Sequence, residues 1–270
     1  MAVYKTEALV LRSRKLNEAD NLITLFSREH GKIKTAAKGV RKTKSHKRSG
    51  VQPFTHGVFL LYQGRTLDHI TQCESKSTFP GLLADLDLFA YASYLAELVD
   101  GFTVEHQPQE ELFVLFLTVL HLLEHSDPEL LSRAFEIRLA NLVGYQPQLS
   151  ACVNCGRAMP FQPIRFSASM GGVLCPACAG QDEFASRCSP GTIGALQQLQ
   201  RMELTRLSIL RLSPEIREEL SKMLRVFLGY RLEKKIKAWD FLQALNDSER
   251  KNEPWNKEGS EGTAEGKDKV

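Results

Sequence analysis

No apolar stretch in this chain reaches the roughly 20 residues needed to cross a bilayer. The longest runs from Leu112 to Leu123, is interrupted by Thr118 and His121, and reads as a buried helix. The N-terminal Met1-Ala2-Val3-Tyr4-Lys5-Thr6-Glu7 lacks the charged start, apolar stretch and cleavage site of a secretory leader, so a cytoplasmic chain with no membrane partner is expected. The familiar signatures of catalysis are missing too. There is no Gly-x-x-x-x-Gly-Lys-Ser/Thr phosphate loop, no Gly-x-Gly-x-x-Gly fingerprint and no Gly-x-Ser-x-Gly elbow. His121, Glu124 and His125 form His-Leu-Leu-Glu-His, which is not the His-Glu-x-x-His spacing of a zinc protease. The expectation is a protein that is not an enzyme.

Acidic residues are absent from one stretch in particular. Between residues 32 and 48 the chain carries eight basic side chains, Lys32, Lys34, Lys38, Arg41, Lys42, Lys44, Lys47 and Arg48, and no carboxylate. The formal net charge of the whole chain is only +3, so everything outside this stretch is net acidic. That asymmetry points to a localised polyanion site rather than general stickiness. Arg12 and Arg14, at alternate positions of an expected strand, share a face that extends the cationic track.

Six cysteines are present, and four of them have metal-ligand spacing. Cys152-Val153-Asn154-Cys155 is followed, after nineteen residues, by Cys175-Pro176-Ala177-Cys178. Two such knuckles fold four thiolates onto one tetrahedral ion, for which Zn2+ is the usual occupant. A four-sulfur site has no position left for water, so one structural zinc is expected and the chemistry must lie elsewhere. A redox pair would be single and would open a helix in a βαβ setting, which does not occur here. Cys73 and Cys188 are then free thiols.

The pattern of residues implies an α+β multidomain chain. Residues 1–79 contain five strand-like segments, Ala8–Ser13, Asn21–Ser27, Ile33–Ala37, Val58–Tyr62 and Leu67–Cys73, with turns at Glu29-His30-Gly31 and Gln63-Gly64-Arg65. The basic run falls in the one long connection, between strands three and four. Five short strands with that connection suit a five-stranded OB-type β-barrel, which binds oligonucleotides on a strand face and flanking loops. Phe26, Phe54, Phe59 and Tyr62 are candidate stacking platforms, with Phe26 and Phe59 expected in the barrel core instead. After Pro80 the apolar period changes to 3.6. An α-helical domain is expected over 80–149 and 181–245, interrupted by an inserted four-cysteine zinc module over 150–180. Asp127-Pro128, Ser189-Pro190 and Ser213-Pro214 mark helix starts, and Gly144 a stop. Arg231, Lys234, Lys235 and Lys237 form a second basic cluster, read as a solvated face or a docking point for an acidic partner. Residues 246–270 read as a disordered tail.

In their order along the chain, Phe26-Ser27-Arg28-Glu29-His30-Gly31-Lys32, Ala37-Lys38-Gly39-Val40-Arg41, Gln52-Pro53-Phe54, Gly144-Tyr145-Gln146-Pro147 before Cys152, and Gly171-Gly172-Val173-Leu174-Cys175 resemble the bacterial recombination mediators of the RecO family, in its zinc-bearing branch. The resemblance implies an OB domain, a helical domain and a four-cysteine module. It also implies binding of single- and double-stranded DNA, annealing of strands coated with single-strand-binding protein, and cooperation with RecR to load RecA. Single-strand-binding protein docks its acidic C-terminal tail on the helical domain of some relatives. A nucleoid-associated cytoplasmic role follows. The family's basic DNA-binding residues fall in the region of Lys38 and Arg41. The competing reading is a zinc-ribbon nucleic-acid-binding regulator or interaction scaffold without annealing activity.

Overall fold

The structure is a computed structural model that describes residues 2–42, 47–232 and 236–252. The chain begins with five strands, β1 (Val3–Lys15), β2 (Asn21–Ser27), β3 (Gly31–Ala37), β4 (His56–Tyr62) and β5 (Asp68–Ser77). They pair in the order β1-β2-β3-β5-β4, and β4 returns to β1, so the sheet closes into a barrel. Only the β3–β5 pairing is parallel, through Thr35 opposite Asp68 and Ala36 opposite His69. Alternation sends Ala8, Val10, Ile23, Leu25, Ile33, Ala37, Phe59, Leu61 and Ile70 inward to form the barrel core. Leu9, Leu11 and Phe26 point outward and are nevertheless buried, because helices cover them.

Several boundaries differ from the sequence reading. β1 begins at Val3 and β5 continues to Ser77, since their polar ends are held by neighbouring strands rather than by their own apolar pattern. Phe26 is buried as expected, yet it belongs to the seam between barrel and helices and not to the barrel core. Gly31 has the positive φ of 65° expected of its turn. Gly64 does not; it is needed because a Cβ there would lie 2.0 Å from the Leu67 carbonyl oxygen.

Helices α1 (Pro80–Ala84), α2 (Leu86–Phe102), α3 (Glu110–Leu123), α4 (Pro128–Leu142), α5 (Pro190–Arg201), α6 (Pro214–Arg231) and α7 (Lys237–Asn252) form the second layer. The sequence-marked starts are real caps: Asp127, Ser189 and Ser213 accept hydrogen bonds from the backbone N–H of Leu130, Thr192 and Ile216. Gly144, at φ 85°, ends α4. Inside α4, the Arg133 guanidinium lies 2.8 Å from Glu136 Oε2, and Tyr94 donates to Glu136 Oε1 at 2.8 Å. Trp239 closes this polar core, since the Arg133 and Arg225 guanidinium groups lie 5.1 and 5.2 Å from its ring. Trp239 and Leu242 thereby seat α7 on α2, so the chain is helical to Asn252 rather than disordered from residue 246; residues 253–270 lie outside the described residues.

Between α4 and α5 stands a small three-stranded sheet of β6 (Ile164–Ser167), β7 (Gly172–Leu174) and β8 (Ser186–Cys188), ordered β7-β6-β8. β8 carries this module past residue 180, and the helices resume only at Pro190.

The seam between barrel and helices has an apolar centre and an ionic rim. The rings of Phe26 and Phe113 lie 6.0 Å apart, and those of Phe54 and Phe89 5.6 Å apart. The loop after α2 follows β3 like an added strand: His106 N donates to the Lys32 carbonyl at 3.0 Å, and a Cβ on Gly31 would meet the Gln107 backbone at 2.1 Å. At the rim, Lys76 Nζ lies 2.5 Å and His56 Nε2 3.0 Å from Glu7 Oε1. The Lys76 contact holds the Glu7 carboxyl below its ordinary range, while burial pushes the His56 ring down.

Phe113→Ala opens the centre of the seam and is expected to lower stability by about 3–5 kcal/mol in urea denaturation. Glu7 and His56 both have folded pKa values below their unfolded ones, so their contribution is present above about pH 6.5 and is lost as pH falls through the folded values. Thermal midpoints measured down a pH series should fall on acidification, and Glu7→Gln should show a shallower decline below about pH 5.

Candidate nucleic-acid interface and metal centre

The base of the basic loop is fixed by the loop between β1 and β2. Asn17 Oδ1 accepts from the N–H groups of Ala19 at 3.0 Å and Asp20 at 2.8 Å, which turns the Asp20 side chain toward the start of the β3–β4 connection. There Asp20 Oδ1 accepts from Gly39 N at 2.7 Å, where Gly39 sits at φ 69°. Arg41 N donates to the Ala19 carbonyl at 3.0 Å, and Arg41 Nη1 to the Asn17 carbonyl at 3.1 Å. The Gly39 N–H, then the Asn17 amide, hold the Asp20 carboxyl below its ordinary range, with Lys38 and Lys42 adding to the effect. The two loops thus rise together from one end of the barrel.

This arrangement brings Arg14, Lys38, Arg41, Lys42 and Arg48 to the surface, all exposed and none ion-paired to a described residue. Lys15, opposite Asn21 at the end of β1, joins them; the sequence reading passed over it because it lies outside the acid-free run. Asn17 and Asp20 were missed as well, although an Asn-x-x-Asp turn next to a strand is a readable signal. Lys47 is half-buried and donates to the Ile70 carbonyl at 3.0 Å, so the far end of the loop is laid on β5. Lys44 lies outside the described residues.

Three of the expected polyanion ligands are turned to other use. A register shift between Val10 and Arg12 leaves Arg12 on the helix side of β1, with Glu97 at 3.8 Å and Asp100 at 3.9 Å. Lys32 is buried, 3.2 Å from Asp100 Oδ1. Lys34 pairs with Glu105. The acidic partners come from α2 and the loop after it, so charge counted along residues 32–48 alone overstated the free cationic surface. Among the aromatics, Phe54 is buried in the seam and Phe59 in the barrel core, while Tyr62 is half-buried.

The four module cysteines come together as their spacing requires: the sulfur atoms of Cys152, Cys155, Cys175 and Cys178 all lie within 4.8 Å of one another. Gly156 and Gly171, at φ 74° and 76°, turn the backbone around them. Cys175 N donates to Cys152 Sγ at 3.4 Å and Asn154 Nδ2 to Cys178 Sγ at 3.3 Å, contacts that favour thiolates. Burial pushes the Cys152 thiol up, but the N–H groups of Cys155, Cys175 and Asn154 outweigh it and bring the group down to about 6. Cys178 is pushed the other way, up to about 11: the Asn154 amide favours its thiolate, but burial and the other three sulfurs prevail. The opposition has a simple cause. Four adjacent sulfurs cannot all hold negative charge unaided, and a dication among them removes the conflict. The donor set therefore fits a closed four-thiolate metal site.

Arg231 of the second basic cluster is not a solvated cation. Its guanidinium lies 5.3–5.5 Å from the rings of Tyr145, Phe227 and Tyr230 and donates to the carbonyls of Ala168 and Ser169, tying α6 to the module. Lys237 opens α7, and Lys234 and Lys235 lie outside the described residues. No helix among the described residues is long and apolar enough to cross a membrane.

Residues 1–79 match the family model described as recombination protein O N terminal, and residues 83–240 the one described as recombination protein O C terminal. The protein named DNA repair protein RecO in Pelotomaculum thermopropionicum is 45% identical over 248 residues, covering 92% of this chain and 96% of the relative. Those of Desulforamulus reducens and Symbiobacterium thermophilum are 40% and 37% identical, each over 92% of this chain and over 97% and 100% of the relative. With both halves matched in order and the shared sequence running through barrel, helices and four-cysteine module, the chain belongs to the RecO family.

Proposed function

We propose that this chain is a DNA-binding recombination mediator that anneals complementary single strands and, with RecR, helps load RecA onto DNA coated with single-strand-binding protein. The names of its relatives support a role in DNA repair and recombination. The observation that carries the mechanism is the group of cations Arg14 and Lys15 at the end of β1 and Lys38, Arg41, Lys42 and Arg48 on the loop after β3, whose base Asp20 ties to the β1–β2 turn, none of them ion-paired to a described residue. In this reading the barrel acts as an OB unit, consistent with its strand order and its loop-borne charge.

Annealing follows from the charge chemistry. Lys and Arg side chains neutralise phosphates without reading bases, which removes much of the repulsion between two strands while leaving base edges free to pair. Binding of single or double strands is then sequence-tolerant and salt-sensitive. With about six phosphates of a single strand neutralised, log K falls with log salt at a slope of about −4. Annealing by this route consumes no nucleotide cofactor. RecR and the acidic C-terminal tail of single-strand-binding protein are the protein partners of this reading.

The ion held by Cys152, Cys155, Cys175 and Cys178 is one Zn2+, which in a four-sulfur site supplies folding energy rather than a reactive water. The residues orient it through the N–H groups that face their sulfurs.

Fluorescence-monitored annealing of complementary oligonucleotides precoated with single-strand-binding protein, without ATP and across a salt series, tests the reading directly. The wild-type chain should accelerate annealing, with an effect that fades as salt rises. Replacing Lys38, Arg41, Lys42 and Lys44 together by Ala should weaken binding to all sequences alike and slow annealing at least about tenfold, corresponding to about 1.4 kcal/mol. Normal annealing by the folded quadruple variant would remove the loop from the mechanism, and strong preference for one duplex sequence would favour a regulator. For the metal, mass spectrometry should find one zinc per chain. Cys175→Ser should abolish zinc retention and lower the thermal midpoint, while a metal content unchanged from wild type would rule out the four-sulfur site.

A further inference from the structure

The widest outer face left open among the described residues of the barrel lies across β1, β4 and β5, away from the seam with the helices. At the end of β2 and the start of β3 the outward positions are closed off: Phe26 lies under Phe113, Lys32 is buried against Asp100, and the backbone of Gln107 sits against Gly31, while Lys34 beyond them pairs with Glu105. A strand of nucleic acid has no room there without displacing the helical layer. Across β1, β4 and β5 the outward residues instead line up in two cross-strand rows, Lys5-Leu60-Gln72 and Glu7-Val58-Glu74. Lys5, Gln72 and Glu74 are exposed, and Val58 and Leu60 are half-buried. A cleft of about 520 Å3 runs over this face, lined by Lys5, Lys47, Leu60, Thr71, Gln72 and Cys73 among others.

We propose that this β1–β4–β5 cleft is a binding track for single-stranded nucleic acid, continuing the path that begins at the basic loop; the proposal rests on the nucleic-acid reading given above. Two features assign that occupant. Lys47 belongs both to the basic run and to the cleft wall, where its bond to the Ile70 carbonyl lays the loop along β5. Lys5, which makes no ion pair with a described residue, stands on the opposite side of the cleft. Cations at the two edges suit a phosphate backbone, Val58 and Leu60 offer an apolar floor to base faces, and Gln72 and Thr71 offer hydrogen-bonding groups without a fixed pattern to read. Glu7 does not oppose a phosphate, because Lys76 and His56 already engage its carboxylate. Glu74 is the one carboxylate in the cleft lining, and it sits in the row beyond Lys5. With Leu60 at its centre and no aromatic ring in the lining, the track grips by charge and leaves bases weakly held, as an annealing surface requires.

The test measures anisotropy of a labelled oligothymidine across a salt series with the full chain. Lys5→Glu combined with Gln72→Glu, both at exposed positions, should weaken binding about tenfold and make the salt slope shallower by about 0.7 for each phosphate no longer neutralised. Leu60→Trp should tighten it about fivefold by giving a base a ring to stack on, a gain that misfolding cannot produce. Lys34→Gln, on the outer side of β3, should stay within about twofold of wild type. Cleft variants that bind like wild type, while the quadruple loop variant is weakened, would overturn the track and leave the loop reading intact. Weakening by Lys34→Gln equal to that of the cleft variants would place the strand on the β2–β3 side and overturn it as well. Wild-type binding by every variant, the loop variant included, would remove both readings.

Discussion

The packing of α2 and α3 onto the outside of β1 and β2 is the constraint on which the rest of the molecule depends. A five-stranded barrel buries only its interior by itself, and that interior is small: eleven residues from Ala8 to Ile70 make up its core. Leu9, Leu11, Phe26 and Phe54 extend burial to the outside, where they merge with the core of the helical layer. Each outward aromatic buried in this way removes roughly 150–250 Å2 from water, on a scale no surface ion pair matches. The seam therefore decides which faces of the barrel are free, and the charges must arrange themselves around it. Lys32, Lys34 and Arg12 lie on the covered side and are met by Asp100, Glu105 and Glu97; Lys38, Arg41, Lys42 and Arg48 on the uncovered loop make no ion pair with a described residue, and Asp20 lies near Lys38 and Lys42.

Asp20 shows how one acid can organise a cationic surface without cancelling it. Its Oδ1 is engaged by the Gly39 N–H and its Oδ2 by the Asn17 amide, so much of its charge is directed into backbone geometry. The lysines on either side of Gly39 are left exposed, near enough to favour the carboxylate but not bonded to it. Like charges on a loop repel and would spread it if nothing restrained its base. A fixed turn at Gly39, with Arg41 anchored to Asn17 and Ala19, sets the starting direction of the loop while its side chains remain free to follow a phosphate backbone. Affinity from many loose cations is tolerant of strand geometry, which suits the annealing role proposed above.

What could be read in the sequence follows from how local each signal is. Caps at Asp127, Ser189 and Ser213 involve residues three apart, and all three form as their motifs specify. The cysteine knuckles are almost as local, because the second pair needs only a short hairpin to meet the first. Strand β2 matches its sequence-based bounds to the residue, since its apolar run is bounded by turn residues at both ends. Signals that depend on distant partners were misread. Nothing near Lys32 indicates that Asp100, far along the chain, removes it from solvent, and nothing near Phe26 tells barrel interior from seam. Charge and hydrophobicity are visible in one dimension, whereas which face of a strand is covered is a property of the assembled layers. The extension of α7 to Asn252 is of the same kind: its composition is polar, and Trp239 seated between Arg133 and Arg225 supplies the anchor.

The four-cysteine module illustrates the complementary limit, a unit too small to hold itself together by burial. Its own buried cluster consists of Cys152, Leu174, Cys175, Cys178 and Ala185, and three of those five are metal-ligand candidates. Its sheet has three strands of only three or four residues, at the short end of the usual range. Without an ion the four sulfurs compete for protons, one thiol drawn down and another driven up, and the centre of the module carries an electrostatic conflict instead of a bond. A dication there would relieve that conflict, and the rest of the molecule supplies attachment. Arg231 does this from α6: stacked among Tyr145, Phe227 and Tyr230, it reaches the Ala168 and Ser169 carbonyls at the turn between β6 and β7. The module is thus fixed to the helical layer by Arg231 and by Ile164, Phe166 and Val173, which join the helical core, with Phe166 5.7 Å from Phe227, while its far end has the four clustered sulfurs at its centre.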